Sequence, residues 1–152
     1  MDKKNTQFGE HLTIDGYNGD RKLLDSRKAV LAILKDLPAK LGMNILKKPQ
    51  VVSAPDNGLN DPGGWTGFVV IAESHISIHT FPKRGFVSAD IYTCKNGMDT
   101  QSIIDYFIDA FKLSEIETNL IKRGTRYPVE NITNQNGQTQ TIYRSLEEVI
   151  SL

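Results

Sequence analysis

Five stretches read as strands, some by the alternation of apolar and polar residues that marks one buried face and others by a short apolar run. These are HLTIDGY (11–17), FVVIA (68–72), HISIHTF (75–81), FVSADIYTC (86–94) and ETNLIKRGTRYP (117–128). Two other stretches repeat at helical spacing. Residues 20–42 carry Leu23, Leu24, Val30, Leu31 and Leu34 on one side, with Asp20 placed to cap the start and Gly42 to end it. Residues 99–113 carry Ile103, Ile104, Phe107, Ile108 and Phe111 in the same way. MNILKKPQVVSA (43–54) reads as extended, and PDNGLNDPGG (55–64) as a loop. From Val129 the chain turns polar, and NQNGQTQT reads as flexible. The pattern predicts one α+β domain over residues 1–128 with a polar, partly flexible tail over 129–152. It is a two-layer sandwich: an antiparallel sheet with two helices on one face. The other face then needs cover, which predicts a dimer formed sheet to sheet.

Composition narrows the function. The chain has 152 residues, 39% hydrophobic and 24% charged, which suits one soluble globular domain. Lys plus Arg equals 18 and Asp plus Glu equals 18, so there is no electrostatic case for nucleic acid or an anionic membrane. The opening MDKKNTQFGEHL lacks the apolar run of a signal peptide, and no stretch is long enough to span a bilayer. One cysteine, Cys94, leaves no internal disulfide and no cysteine-cluster zinc site. A reducing cytoplasm is the expected location.

Glu-Ser-His interrupts the apolar run VVIAESHISIHTFP (69–82), and folding alone does not ask for it. On a strand, His75, Ser77, His79 and Phe81 share one face, while Ile76, Ile78 and Thr80 take the other. Such a face can be plain solvated surface. A Ser followed five residues later by His also fits an activated nucleophile. Spacing alone does not choose between these.

The segment ESHISIHTFP, followed by ADIYTC, resembles the self-cleaving proenzymes of the prokaryotic S-adenosylmethionine decarboxylase family, pyruvoyl-dependent enzymes of polyamine and spermidine synthesis. The resemblance extends to GEHLTIDGYNGDRKLLDS and covers about Gly9 to Pro128. It implies that Ser74 attacks the Glu73 carbonyl, giving an ester by N→O acyl shift. Elimination and hydrolysis then leave chains 1–73 and 74–152, the second opening on a pyruvoyl group made from Ser74. His79 matches the processing base and Thr66 the hydroxyl that assists it, where the family usually has Ser. Cys94 matches the proton donor of the later decarboxylation, against the commoner fate of a lone cysteine as a small buried hydrophobe. The pyruvoyl ketone takes the substrate amine as a Schiff base, so neither a metal nor pyridoxal phosphate is expected.

Two adenosine contacts of the family are changed. The Glu that follows HTxP and binds the ribose is Lys83 here, and the Phe six residues before the processing hydroxyl falls on Asn60. Lysine only donates hydrogen bonds, and Asn offers little stacking area. The acids Asp56 and Asp61, beside Trp65, and Asp15 in LTIDGY could instead meet a cationic side chain, although PDNG and NDPGG also suit Asp in turns. The resulting expectation is a pyruvoyl-dependent decarboxylase of a basic amino acid, arginine or ornithine. S-adenosylmethionine is the alternative substrate, with Trp65 taking over the stacking. A non-catalytic regulatory partner should have lost Ser74, His79 or Cys94, and all three are present. A serine hydrolase would want a Gly-x-Ser-x-Gly turn, which Ser74 lacks.

Overall fold

In the computed structural model, residues 7–127 are described, together with the backbone of a short hairpin (β7, Ile132–Thr133; β8, Thr139–Gln140). The rest of the predicted tail lies outside the described residues. Six strands form one antiparallel sheet in the order β2-β3-β4-β5-β1-β6. They are β1 (Gly9–Tyr17), β2 (Gln50–Ala54), β3 (Gly64–Ile71), β4 (Ser74–Phe81), β5 (Phe86–Thr93) and β6 (Glu115–Arg123). The helices are α1 (Arg21–Leu24), α2 (Arg27–Lys40) and α3 (Thr100–Phe111).

Strand alternation sends Leu12, Ile14, Val69, Ile76, Ile78, Val87 and Ile91 to the helix side, where they meet Val30, Ile33, Leu34, Leu37, Ile103, Phe107 and Phe111 in one buried cluster. Each such side chain contributes about 1.5–3 kcal/mol when fully buried. Gly67 lets α2 lie close, because a Cβ there would come within 2.8 Å of Leu34. The two-layer α+β expectation therefore holds.

The predicted helix over 20–42 is in fact two. Asp20 accepts from the amides of Lys22 and Leu23 as expected, but Ser26 then accepts from Ala29 N–H and opens a second helix. A side chain that bonds the backbone this way favours a helix start over a helix interior. The extended reading of 43–54 holds only for Gln50–Ala54; ahead of it, Ile45 makes an isolated bridge to Ile71. Among the described residues, no helix is long and apolar enough to cross a membrane.

Candidate active site

The open face of the sheet is ordered in transverse rows by the strand register. One row runs Val70, His75, Tyr92, His11, Ile121, and the next runs Gln50, Phe68, Ser77, Asp90, Thr13, Asn119. A third runs Val52, Thr66, His79, Ser88, Asp15, Glu117. These rows decide which sequence-predicted residues meet.

Glu73, Ser74 and Cys94 do meet. β3 and β4 are joined through Ala72 and Glu73 alone, with Ile71 facing Ser74. Two-residue hairpin loops favour residues that tolerate positive φ in the loop itself. Here neither loop residue has it, and the unusual angle falls on Ser74, at φ 150°. A non-glycine residue held there stores about 1–3 kcal/mol of strain. The Glu73 carbonyl oxygen, on the peptide bond ahead of Ser74, accepts from the Cys94 amide at 2.8 Å. A backbone N–H aimed at that oxygen would stabilise the negative charge that forms when a nucleophile attacks.

The Glu73 side chain is buried, with Oε2 accepting from Asn44 N–H (3.2 Å) and Oε1 at 3.4 Å from Lys95 Nζ. Lys95 Nζ also donates to the Gly42 carbonyl at 3.1 Å. Burial pushes the Cys94 thiol up, and the nearby Glu73 carboxylate pushes it further; a backbone hydrogen bond and Lys95 offset only part. The thiol therefore keeps its proton, as a donor must.

Thr66 and His79 also meet, with Oγ1 and Nδ1 3.2 Å apart. They lie far from Ser74. Ser74 opens β4 and His79 is five residues on, which at ~3.3 Å per residue separates them by roughly 16 Å. The sequence pattern suggests nucleophile and base together; one chain keeps them apart. A cavity of about 700 Å³ opens on the helix side between α2 and α3, with Thr93 and Lys95 in its wall and neither Ser74 nor Cys94 among its lining residues.

The acids expected to bind a cationic substrate have other work. Asp56 Oδ1 accepts from Gly58 N–H (2.7 Å) and Asp61 Oδ1 from Gly63 N–H (2.8 Å), both Asx turns. The Asn60 side-chain oxygen accepts from Asn57 Nδ2. The remaining Asp56 oxygen lies 3.6 Å from Lys83 Nζ. The Gly58 hydrogen bond, with help from Lys83, holds the Asp56 carboxyl below its usual range despite the opposing desolvation. The loop acids thus serve turns and an ion pair. Trp65 is anchored on one side: its Nε1 donates to the Asp25 carbonyl (2.9 Å) and the partly buried ring packs against the core. Rings do gather on the open face next to His79, where Phe81–Phe86 and Tyr17–Phe86 centroids are 5.4 and 5.3 Å apart. Asp15 shares the Thr66–His79 row, two strands from His79.

One cluster has no counterpart in the sequence pattern. Asp90 Oδ2 lies 2.6 Å from His11 Nε2 and 3.1 Å from His75 Nε2, and Ser77 Oγ donates to Oδ1. Two imidazoles and a carboxylate this close could in principle hold a metal. Arg123 Nη1, however, lies 2.8 Å from His11 Nδ1. Guanidinium only donates, so Nδ1 accepts and the His11 proton sits on Nε2, facing Asp90. The lone pair a metal would need there is absent, and the cluster is a hydrogen-bond chain. His75 and Ser77 were legible as one face; His11, Asp90 and Arg123 come from alternating strands with nothing local to mark them.

Known proteins are similar to this chain in sequence and in architecture. A family model described as S-adenosylmethionine decarboxylase matches residues 10–124. The chain is 35% identical over 109 residues to the S-adenosylmethionine decarboxylase proenzyme of Pyrobaculum neutrophilum, across 72% of this chain and 83% of that one. It is 31% identical over 126 residues to the proenzyme of the same name from Thermococcus onnurineus, across 83% and 84%. Among solved structures it is similar to the adenosylmethionine decarboxylase of Aquifex aeolicus, with a TM-score of 0.67 and 28% identity over 85% of this chain and 98% of that one.

Proposed function

This chain belongs to the S-adenosylmethionine decarboxylase family, and from that premise we propose that it is made as a proenzyme, cuts itself between Glu73 and Ser74, and decarboxylates S-adenosylmethionine. The observation that carries the reading is the Glu73–Ser74 peptide itself, with strain on Ser74 and the Cys94 amide on the Glu73 carbonyl oxygen. Ser74 Oγ adds to the Glu73 carbonyl carbon, the C–N bond breaks, and the nitrogen takes a proton. Loss of the Ser74 Cα proton then expels the Glu73 carboxylate. Water replaces the residue-74 nitrogen as ammonia, leaving a pyruvoyl group on the nitrogen of His75. That group supplies a ketone which takes the substrate amine and withdraws electrons as CO₂ leaves. Cys94 then returns a proton to the substrate carbon.

The processing base and hydroxyl come from a second copy. With His79 and Thr66 roughly 16 Å from Ser74 along one strand, a homodimer supplies the missing half. A two-fold axis lying between stacked open faces, across the strands at the level of Ser77 and Asp90, would bring Ser74 of each copy over the other's Thr66 and His79. The exposed Val52 (57%), Phe68 (42%) and Ile121 (45%) lie on that face and would become covered.

The expectation of arginine or ornithine is not supported. Its acids Asp56 and Asp61 are held in turns, and the similar proteins are named for S-adenosylmethionine. The ring cluster of Tyr17, Phe81 and Phe86 beside His79 offers the flat apolar surface an adenine needs, in place of the role expected of Trp65. Denaturing mass spectrometry should show chains 1–73 and 74–152, the second blocked by a pyruvoyl group, and Ser74→Ala should stay whole. Release of CO₂ should be fastest from S-adenosylmethionine. An uncut wild-type chain, or turnover of arginine or ornithine alone, would defeat the reading.

A further inference from the structure

Cutting at Glu73–Ser74 makes a new chain end, and His75 is the first ordinary residue after it. Chain ends fray unless tied down, whereas a reacting carbonyl must be held to a fraction of an ångström. In the intact chain the β3–β4 hairpin holds Ser74 covalently. After the cut that constraint is gone, and the group on the His75 nitrogen needs another.

The His75 side chain is held from several sides. Its Nε2 is 3.1 Å from Asp90 Oδ2 on β5. The Asp90 carboxylate already accepts from Ser77 and from His11, and Arg123 on β6 fixes the His11 proton toward it. Burial alone would raise the Asp90 carboxyl, but the hydrogen bonds from Ser77, His11 and His75 outweigh it and hold it lowered, hence ionised. An ionised carboxylate only accepts, so His75 Nε2 donates and the ring is oriented. Phe68 stacks on one face of that ring at 5.3 Å, and Tyr92 meets it edge-on at 5.7 Å. Arg123 lies over Tyr92 at 4.6 Å, closing the circuit. Four strands, β4, β5, β1 and β6, are thereby tied to the one residue that carries the new end.

We propose that Arg123, His11 and Asp90 form a tether that holds His75, and with it the pyruvoyl-bearing chain end, in place after cleavage. These are positioning residues. They matter little for the cut, because the covalent hairpin does their work beforehand, and much for turnover. The proposal rests on the self-cleavage reading above.

The test uses full-length wild type, Asp90→Asn, His75→Leu and His75→Gln, each also carried on the uncleavable Ser74→Ala chain. Gln retains a donor that can reach Asp90. Asp90→Asn should still be cut, yet lose roughly 10- to 100-fold in kcat, in line with the cost of a misplaced reacting group, with a smaller change in KM. Amide exchange at the start of β4 should quicken in cut Asp90→Asn and His75→Leu protein, but not when the same changes sit on Ser74→Ala. His75→Gln should recover part of the kcat lost in His75→Leu. Equal loosening of cut and uncut chains would make the cluster ordinary packing and overturn the tether, as would cut Asp90→Asn protein with wild-type kcat. Should Asp90→Asn not fold, the His75→Leu and His75→Gln pair decides between tether and packing by the same two measurements. A wild-type chain that is never cut overturns both readings; a cut, active wild type whose variants keep wild-type kcat overturns the tether alone.

Discussion

On the proposed reading Cys94 has two roles that depend on different atoms. Its amide N–H bonds the Glu73 carbonyl, while its thiol, raised by burial and by the Glu73 carboxylate, would hold the proton for the later step. Replacing the side chain should therefore leave cleavage intact and remove the donor. The electrostatic part can be read directly. Thiolate forms only at a pH above the ordinary thiol range, so alkylation of Cys94 by iodoacetamide should rise late as pH increases. Glu73→Gln removes the second raising influence and should move that rise to lower pH; an unmoved profile would mean that burial alone sets it. Ser74, His79 and Cys94 could be picked out as candidates because their spacing along the chain carries the resemblance to the family. The tether could not, since His11 and Arg123 stand 112 residues apart and meet only because β6 pairs with β1.

The β3–β4 hairpin concentrates its irregularity at one residue. Alternation in HISIHTF places β4 to within a residue, but no pattern marks where a tight loop will deposit a positive φ. The same blindness hides the break between α1 and α2, where the apolar spacing continues through Ser26 while the hydroxyl caps a new helix. The hairpin strain is measurable in uncut protein. Ser74→Gly and Ser74→Ala both lack the nucleophile, but only glycine tolerates the angle. Glycine relieves about 1–3 kcal/mol and loses about 0.5–1 to its greater freedom when unfolded. Ser74→Gly should melt above Ser74→Ala by about 3 °C, for a net gain near ~1 kcal/mol in a chain of this size. Equal melting points would show that the hairpin relaxes without help.

At the scale of the whole molecule, the two layers and the helix side followed from periodicity, since each helix covers the face to which alternation sends the Ile and Val side chains, whereas the strand order did not. The separation of Ser74 from His79 did not, although the spacing of five residues already contained it once the stretch was read as a strand. Assembly across two copies predicts complementation. Ser74→Ala supplies a sound Thr66 and His79; His79→Ala supplies a sound Ser74. Neither should be cut alone. Expressed together, the His79→Ala chain should be cut and the Ser74→Ala chain should not, as resolved by their masses. Failure of the mixed dimer to cut, with both chains folded and paired, would place the base within the same chain.

The length of one strand also sets the order of a reaction. Ser74 opens β4 and His79 lies five residues along it, so on the proposed reading a lone chain cannot act on itself. A newly made chain, still dilute, should then be kinetically silent at this bond however strained it is. Maturation becomes a second-order process wherever copies are scarcer than their own dissociation constant, with a half-time that lengthens in inverse proportion to concentration. With the two copies assembled as proposed, abundance becomes a condition of activation: the first molecules made would wait for the next ones before any of them carries the reactive carbonyl.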